Sequence, residues 1–364
     1  MKKRLLCKNL YDFFVERIVS GELSPGSCLP SNQETACEFN VSIMTANRAF
    51  KQLAEAGYIR REQGRGSFVC DSLPSSDRRI YHIGIADSVT YPVVPVLNAA
   101  LDIRPKTVSH YLQDYGCTVR MISYDDLRDS EIICQMAKKL DGLVISAGFL
   151  DRITESNLSR LDVPIVVINH ERLADMPFHQ LIMDMRPALM DAAARVVAKN
   201  YREVIIVRES HPNGMIRCVN FIKALIKCGF NAKKIRCCTI KAYALMNEQP
   251  FYELGMKLCS DLSGKLLFST SDVASFYMMK AFVESGGKPG KDFDLLSFDN
   301  LEEYGYCPFE DAVLTSIDYP KVEISEKAAQ LLLEKIEKPS SGTTIYRVPA
   351  TLKIRSTAFN DNLK

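Results

Sequence analysis

The chain has 364 residues, enough for two or three domains, and 47% of them are hydrophobic, enough to fill real cores. Its net charge is only +2, which excludes a global basic field, so any nucleic-acid surface must be a local cluster. The twelve cysteines show no C-x-x-C spacing, and no apolar run approaches the ~20 residues of a membrane span, so reduced thiols, no membrane and a cytoplasmic location are expected.

In chain order, Leu10, Phe13, Phe14, Arg17 and Ile18 repeat at three and four, which predicts a helix over Asn9 to Ser20, ended by Gly21. Ser24-Pro25-Gly26 is a turn. Ser31 and Glu34 have the spacing of a capping box, so a second helix starts at Ser31 and runs to about Phe39. Asn40-Val41 turns the chain, because Asn tolerates the left-handed conformation that ends a helix. Ser42 caps a third helix, Ile43 to about Glu55, with Ala46, Ala49, Phe50 and Leu53 on its apolar face. Gly57 closes it. Two short strands, Tyr58–Arg61 and Ser67–Val69, flank Gln63-Gly64-Arg65-Gly66. Helix, turn, helix and β-hairpin suit duplex DNA, since a helix fits the major groove and its N-terminal side chains reach base edges. Residues 1–72 hold ten basic and eight acidic side chains. Arg48, Lys51, Arg60, Arg61 and Arg65 are the basic groups able to cluster on one face.

Leu29-Pro30-Ser31, Val41-Ser42 with Thr45, Ala56-Gly57-Tyr58-Ile59 and Gly64-Arg65-Gly66-Ser67-Phe68-Val69 together resemble the winged helix of the GntR family of bacterial regulators, over roughly residues 8 to 70. The resemblance implies DNA contacts from Ser31, Gln33, Ser42, Ile43, Thr45, Asn47, Arg48, Lys51 and Arg65. Family members commonly carry arginine where this chain has Gln33, Ile43 and Asn47. Gln and Asn can read adenine through paired bonds, while Ile43 offers only apolar contact, for example to a thymine methyl.

Asp71 to Arg79 is polar, contains one proline and reads as a linker, so the expected domains are 1–72, a linker at 73–79, and 80–364. From Ile80 buried strands alternate with helices. Strands are read at Tyr81–Ile85, Val119–Ile122, Gly142–Ser146 and Ile165–Ile168, with helices at Val94–Tyr115, Ser130–Lys139 and Thr154–Leu161 between them. A second series has strands at Val204–Val207, Lys234–Thr239, Lys265–Ser269 and Asp294–Ser297. Its helices are Ala188–Asn200, Met215–Cys228, Glu248–Leu262 and Ala274–Ser285. Apolar β-branched strands alternating with helices predict parallel sheets. Two such sheets predict two lobes with a cleft, an α/β architecture whose ligands bind at the carboxyl ends of the strands.

This half resembles the sensor domain of the lactose-repressor family and the periplasmic sugar-binding proteins. The resemblance is carried by Asp141-Gly142-Leu143-Val144-Ile145, Val163-Pro164-Ile165-Val166-Val167-Ile168, Leu295-Leu296-Ser297-Phe298-Asp299-Asn300, Leu314-Thr315-Ser316-Ile317 with Pro320, and the tail from Val348 to Thr357. It implies a first lobe at about 80–170 and 320–338 and a second at about 171–319 and 339–359. The helix Lys321–Glu337 returns to the first lobe and the final strand to the second.

Arg217 matches the family's ligand-facing arginine, or is a surface arginine capping a loop. Asp299 matches the acidic ligand residue, or is a turn aspartate. Ser271 stands where sugar-binding members often have Asn, and Asp272 either caps the following helix or touches ligand. Tyr91, Phe149, Phe276 and Phe298 lie near strand ends, where they stack on a sugar face or belong to the core. No catalytic set, metal motif or cofactor motif stands out, and His170-Glu171 lacks the second histidine of a zinc helix. The expected protein is not an enzyme. It is a winged-helix regulator, a repressor in the commoner arrangement, that binds operator DNA as a homodimer and a monosaccharide or similar effector between its lobes. The competing readings are a winged helix fused to an enzyme domain acting on a small metabolite, and a winged helix used for partner binding without DNA.

Overall fold

The computed structural model describes residues 2–62, 64–71, 80–87, 95–169, 176–210, 212–309, 311–339 and 342–359. The chain divides into two compact units, Met1–Ile80 and Tyr81–Lys364. The expected linker at 73–79 lies outside the described residues.

The first unit contains helices α1 (Lys2–Val19), α2 (Asn32–Glu38) and α3 (Ile43–Glu55), then strands β1 (Ile59–Glu62) and β2 (Gly66–Val69). α1 starts well before Asn9. The Ser31 hydroxyl accepts from the Glu34 amide at 3.2 Å while the Glu34 carboxylate accepts from the Ser31 amide at 2.7 Å, a complete capping box. Asn40 has φ +50°, the left-handed turn its position called for. α3 buries Ala46, Ala49, Phe50 and Leu53 against Leu10, Phe14 and Ile18 of α1. Phe14 and Phe50 meet edge to face with centroids 5.1 Å apart. β1 and β2 pair antiparallel, with Glu62 opposite Gly66.

The second unit is built on two six-stranded sheets. In chain order the strands are β3 (His82–Ala86), β4 (Thr118–Met121), β5 (Gly142–Ser146), β6 (Ile165–Asn169), β7 (His179–Asp184), β8 (Glu203–Glu209), β9 (Ile235–Ile240), β10 (Lys265–Ser269), β11 (Asp294–Phe298), β12 (Thr315–Asp318), β13 (Ile345–Pro349) and β14 (Thr351–Lys353). The first sheet has the order β13-β7-β6-β5-β3-β4 and is wholly parallel. The second has the order β14-β12-β11-β10-β8-β9, parallel except for β14 against β12. Central strands β5 and β10 are buried along their whole length, as parallel strands covered on both faces must be. This is the α/β, two-sheet architecture expected from the strand pattern.

Four details differ from the sequence reading. The helix expected over Val94–Tyr115 is two, Pro95–Leu101 and Ile103–Asp114, parted at Asp102, and the first buries Leu97 and Ala100 against side chains of the second sheet. The helix expected over Ser130–Lys139 is preceded by a separate turn of helix, Tyr124–Arg128, with Asp129 capping Ser130–Ala137 through the Glu131 and Ile132 amides. β7 was not anticipated. It lies in the first sheet, where the lobe bounds had put residues from 171 onward in the second. The tail likewise does not pass to the second lobe as one strand: β13 pairs with β7, and β14 crosses to β12.

Candidate functional site

Two surfaces bring the expected residues together. On the first unit, the start of α3 is open to solvent. Ile43 is 54% and Met44 80% exposed, and Asn47, Arg48 and Lys51 are exposed beside them. Apolar side chains held in water at a helix N-terminus are the unusual feature here. Ser42 caps the helix by accepting from the Thr45 amide at 3.1 Å, and its hydroxyl pairs with that of Thr45 at 2.8 Å. Thr45 is buried, so its role is to fix the helix start rather than to reach a base. Ser31 and Gln33 are exposed on α2.

Asn47 is positioned from two sides. Its Oδ1 accepts from Arg61 Nη2 at 2.9 Å and from Asn32 Nδ2 at 3.4 Å. The wing strand β1 thus orients a side chain of α3. Sequence reasoning had not assigned Met44 or Asn32 any part in this face. Arg65, at the hairpin tip, pairs with Glu62 at 2.8 Å but is 75% exposed, so that pair is weak and the guanidinium can turn to a phosphate. Arg60, expected in the basic cluster, is engaged by neighbouring carboxylates. It is held by Glu62 and Asp71 over the Phe68 ring.

The second surface lies at the carboxyl ends of the sheet strands. Arg217, on helix Pro212–Lys227, is 7% exposed. It donates from Nη2 to Asp299 Oδ1 at 2.8 Å and from Nη1 to the Thr270 carbonyl at 2.8 Å, and lies 4.0 Å from the centre of the Phe298 ring. One guanidinium therefore joins the ends of β10 and β11 through charge, hydrogen bonding and cation–π contact. Asp299 and Asn300 have φ +119° and +52°, conformations that L residues other than glycine rarely adopt. Such backbone costs of order 1–3 kcal/mol and persists where the surroundings over-determine it, commonly at ligand clamps.

The surroundings are visible. Asp272, fully buried, accepts from the Leu301 amide at 2.7 Å and from the Ser316 hydroxyl at 2.7 Å. It neither caps its helix nor lies open to ligand. It anchors the chain just beyond Asp299, and burial followed by the Asp299 charge pushes its carboxyl up. Asn300 is clamped by Ser316, Glu303 and Arg355. Lys321 donates from Nζ to the Asp299 carbonyl and lies 4.0 and 4.1 Å from the Tyr304 and Tyr319 ring centres. Burial drives its ammonium down, opposed by Asp299 and Asp318. Glu209, at the end of β8, accepts from the Ala244 amide at 2.8 Å, and burial pushes it up to about 7.

Of the aromatic residues expected to stack on a ring, Phe298 is fully buried beneath Arg217, Phe276 is buried against Tyr306, and Phe149 is buried edge-on to Tyr124. They are core residues. Tyr91, His170 and Glu171 lie outside the described residues. Ser271 sits at the start of helix Asp272–Glu284, and its carbonyl accepts from the Ser269 and Ser275 hydroxyls.

The first sheet carries a matching pair that no motif announced. Asp87, directly after β3, accepts from Arg104 Nη2 at 2.7 Å, and Arg104 reaches Ser146 at the end of β5 at 3.5 Å. Asp87 is 7% exposed, and its second oxygen, Oδ2, has no partner among the described residues. The Thr270 hydroxyl, in the second lobe, has none either. A buried polar atom left unsatisfied costs about 1–3 kcal/mol, so such atoms ask for an explanation. Tyr319 lies within electrostatic range of Arg104 and Asp87 from one lobe and of Arg217 and Asp299 from the other.

A small winged helix followed by a two-lobed α/β domain is the architecture of a class of one-chain regulators. Residues 6–69 match the family model described as bacterial regulatory proteins, gntR family. The whole chain is 22% identical to an arabinose metabolism transcriptional repressor of Geobacillus stearothermophilus, covering 95% of this chain and 97% of that one. It is 20% identical to the HTH-type transcriptional repressor CytR of Escherichia coli over 86% of this chain and 88% of that one. Among solved structures, a LacI family transcriptional regulator from Enterococcus faecium with bound ribose superposes with a TM-score of 0.60 at 17% identity, over 76% of this chain and 98% of that one. A periplasmic binding protein/LacI transcriptional regulator from Alkaliphilus metalliredigens, complexed with D-xylulofuranose, gives 0.57 at 16% identity over 77% and 100%. The N-terminal domain is thus of the GntR type, and the remainder has the fold of the LacI-family ligand-binding regulators.

Proposed function

We propose that this chain is a ligand-responsive transcriptional repressor. α3 and the hairpin tip bind operator DNA, and a monosaccharide or close analogue binds between the lobes of the second unit. The observation that carries the effector half is Arg217, a buried guanidinium locked to Asp299 on strained backbone at the carboxyl ends of β10 and β11. A relative matched over 97% of its length is named a transcriptional repressor, and neighbours of the same fold hold ribose and xylulofuranose, which supports a sugar.

Two half-sites multiply affinity, so the active species is a homodimer in the cytoplasm. Ligand acts by favouring one relative position of the lobes, and repression is relieved because that position disfavours simultaneous binding of both half-sites. The enzyme-fusion reading has no observation of its own in its favour. The test is titration of a fluorescent duplex from the protein's own upstream region, with and without sugars found to bind by calorimetry. Operator binding that weakens with sugar supports the reading. Absence of both DNA and sugar binding refutes it.

A further inference from the structure

Packing within the first unit does not explain the two apolar side chains in the first turn of α3. Ile43 and Met44 stand in water, and neither belongs to the core that α3 builds from Ala46, Ala49, Phe50 and Leu53. At helical spacing Ile43 shares a face with Asn47 and Lys51, and Met44 with Arg48. All five are exposed, so one open face of α3 runs from an apolar first turn to a basic end. The cations suit a polyanion, and the apolar turn must then meet a part of it that carries no charge.

The edges of the bases narrow that part. In the major groove only thymine presents an apolar group, its C5 methyl. Guanine shows two acceptors, and adenine and cytosine each show an amino donor. Ile43 and Met44 have no donor to offer, so guanine packed against them would keep O6 and N7 unpaired in a contact closed to water, at a cost in affinity. Asn47 does not supply the discrimination. Its Oδ1 already accepts from Arg61 and Asn32, which leaves Nδ2 as a donor, and one donor suits N7 of either purine or O4 of thymine.

Resting on the DNA reading above, we infer that Ile43 and Met44 are specificity-determining residues that pack on the C5 methyl groups of two thymines where the first turn of α3 enters the major groove. The choice is made on a single carbon of each base. A duplex that keeps the same hydrogen-bonding edges without those methyl groups is bound more weakly.

The test starts from duplexes that the full chain selects from a random-sequence library. In the tightest of them each thymine is replaced singly by deoxyuridine, which removes the methyl group and keeps every hydrogen-bonding group. Anisotropy titration should show at least two positions where the replacement weakens binding about 3- to 5-fold, the worth of one buried carbon. Met44→Ala should abolish the loss at one of these positions and Ile43→Ala at another, and each variant should bind the unmodified duplex at least about 3-fold more weakly than the parent does. Both side chains are exposed, so the melting temperatures should match the parent's. An effect of deoxyuridine on the shape of the duplex would persist in both variants, and such persistence overturns the inference. So does a selected duplex in which no deoxyuridine weakens binding. Either result leaves the DNA reading standing. Selection of no duplex at all overturns that reading itself.

Discussion

Arg61 reaches from the wing strand to Asn47 on α3, Nη2 to Oδ1 at 2.9 Å, so the side chain proposed to read a base is oriented by its neighbour in the hairpin. The wing therefore has two tasks in this domain. In the proposed operator complex its tip approaches the DNA backbone, and its first strand sets the rotamer of Asn47, the proposed reading residue.

Loss of either partner should have separable effects on DNA binding. Asn47→Ala should cost about 1–3 kcal/mol on the preferred operator and flatten the preference among single-base variants. Arg61→Ala should shift the same preference, though less, because Asn32 still contacts Asn47. Competition titrations with a panel of substituted operators check both. If Arg61→Ala weakens all duplexes equally, its role is phosphate binding rather than positioning.

Arg65 should behave differently. Its exposed pair with Glu62 offers little to hold it, so Arg65→Ala should weaken binding to every sequence uniformly and lower the slope of log affinity against log salt by about 1. For the parent, affinity should fall by ~10³ or more between about 50 and 200 mM salt if six or more phosphates are contacted. Anisotropy titrations at four salt concentrations provide the slope.

Glu209 gives a pH prediction for stability. Burial raises its carboxyl from 4.5 to about 7, so the folded chain keeps this proton over a range where the unfolded chain has lost it. Stability must then fall as pH rises from about 4.5 to about 7, and the loss is complete above that, on the order of 3 kcal/mol. Glu209→Gln keeps an acceptor for the Ala244 amide and removes the titration. Urea unfolding at pH 5 and pH 8 should show the variant more stable than the parent at pH 8 and level with it at pH 5. Equal differences at both pH values would refute the assignment.

Packing at the start of the helix that carries Arg217 is equally specific. A Cβ at Gly214 would stand 2.9 Å from the Glu209 carbonyl oxygen and 3.2 Å from the Thr270 hydroxyl. The first neighbour is backbone and cannot swing away. Gly214→Ala should lower stability by about 1–3 kcal/mol and weaken sugar binding, while a Gly255→Ala control, which crowds Ala281 and the Met278 backbone, should lower stability without a specific effect on sugar. Thermal melts with and without sugar separate the two.

Local signals were strong in the first unit and weaker in the second. Ser31 with Glu34, Ser42 before an apolar stripe, and Asn40 at a helix end each encode backbone geometry over three or four residues, and the helices follow them. Strands β12 to β14 entered only through the family resemblance, and eight of the twelve strands of the two sheets were legible as apolar β-branched runs. β7 was not, because His179-Gln180-Leu181-Ile182-Met183-Asp184 reads as well as a helix start leading into Arg186–Ala198, and only pairing with β6 and β13 decides it. Arg217 with Asp299 came from family resemblance, whereas Asp87 with Arg104 came from neither pattern nor resemblance. Seventeen residues separate that pair in sequence, and only the fold brings it to one strand end. Phe298 looked like a ring-stacking residue because it lies near a strand end. Strand alternation turns it inward, under Arg217.

The most direct test of the account is operator binding by the parent, Arg217→Ala and Asp299→Ala, each measured with and without the sugar that calorimetry identifies. Removing either charge leaves its partner and the ligand hydroxyls unpaired, at a cost of roughly 2–3 kcal/mol or ~30- to 150-fold in sugar affinity. The account predicts that all three proteins bind the operator alike without sugar, that sugar releases the parent, and that neither variant responds at the concentration that releases it. Release of both variants at that same concentration would contradict the account and remove Arg217 and Asp299 from the effector site.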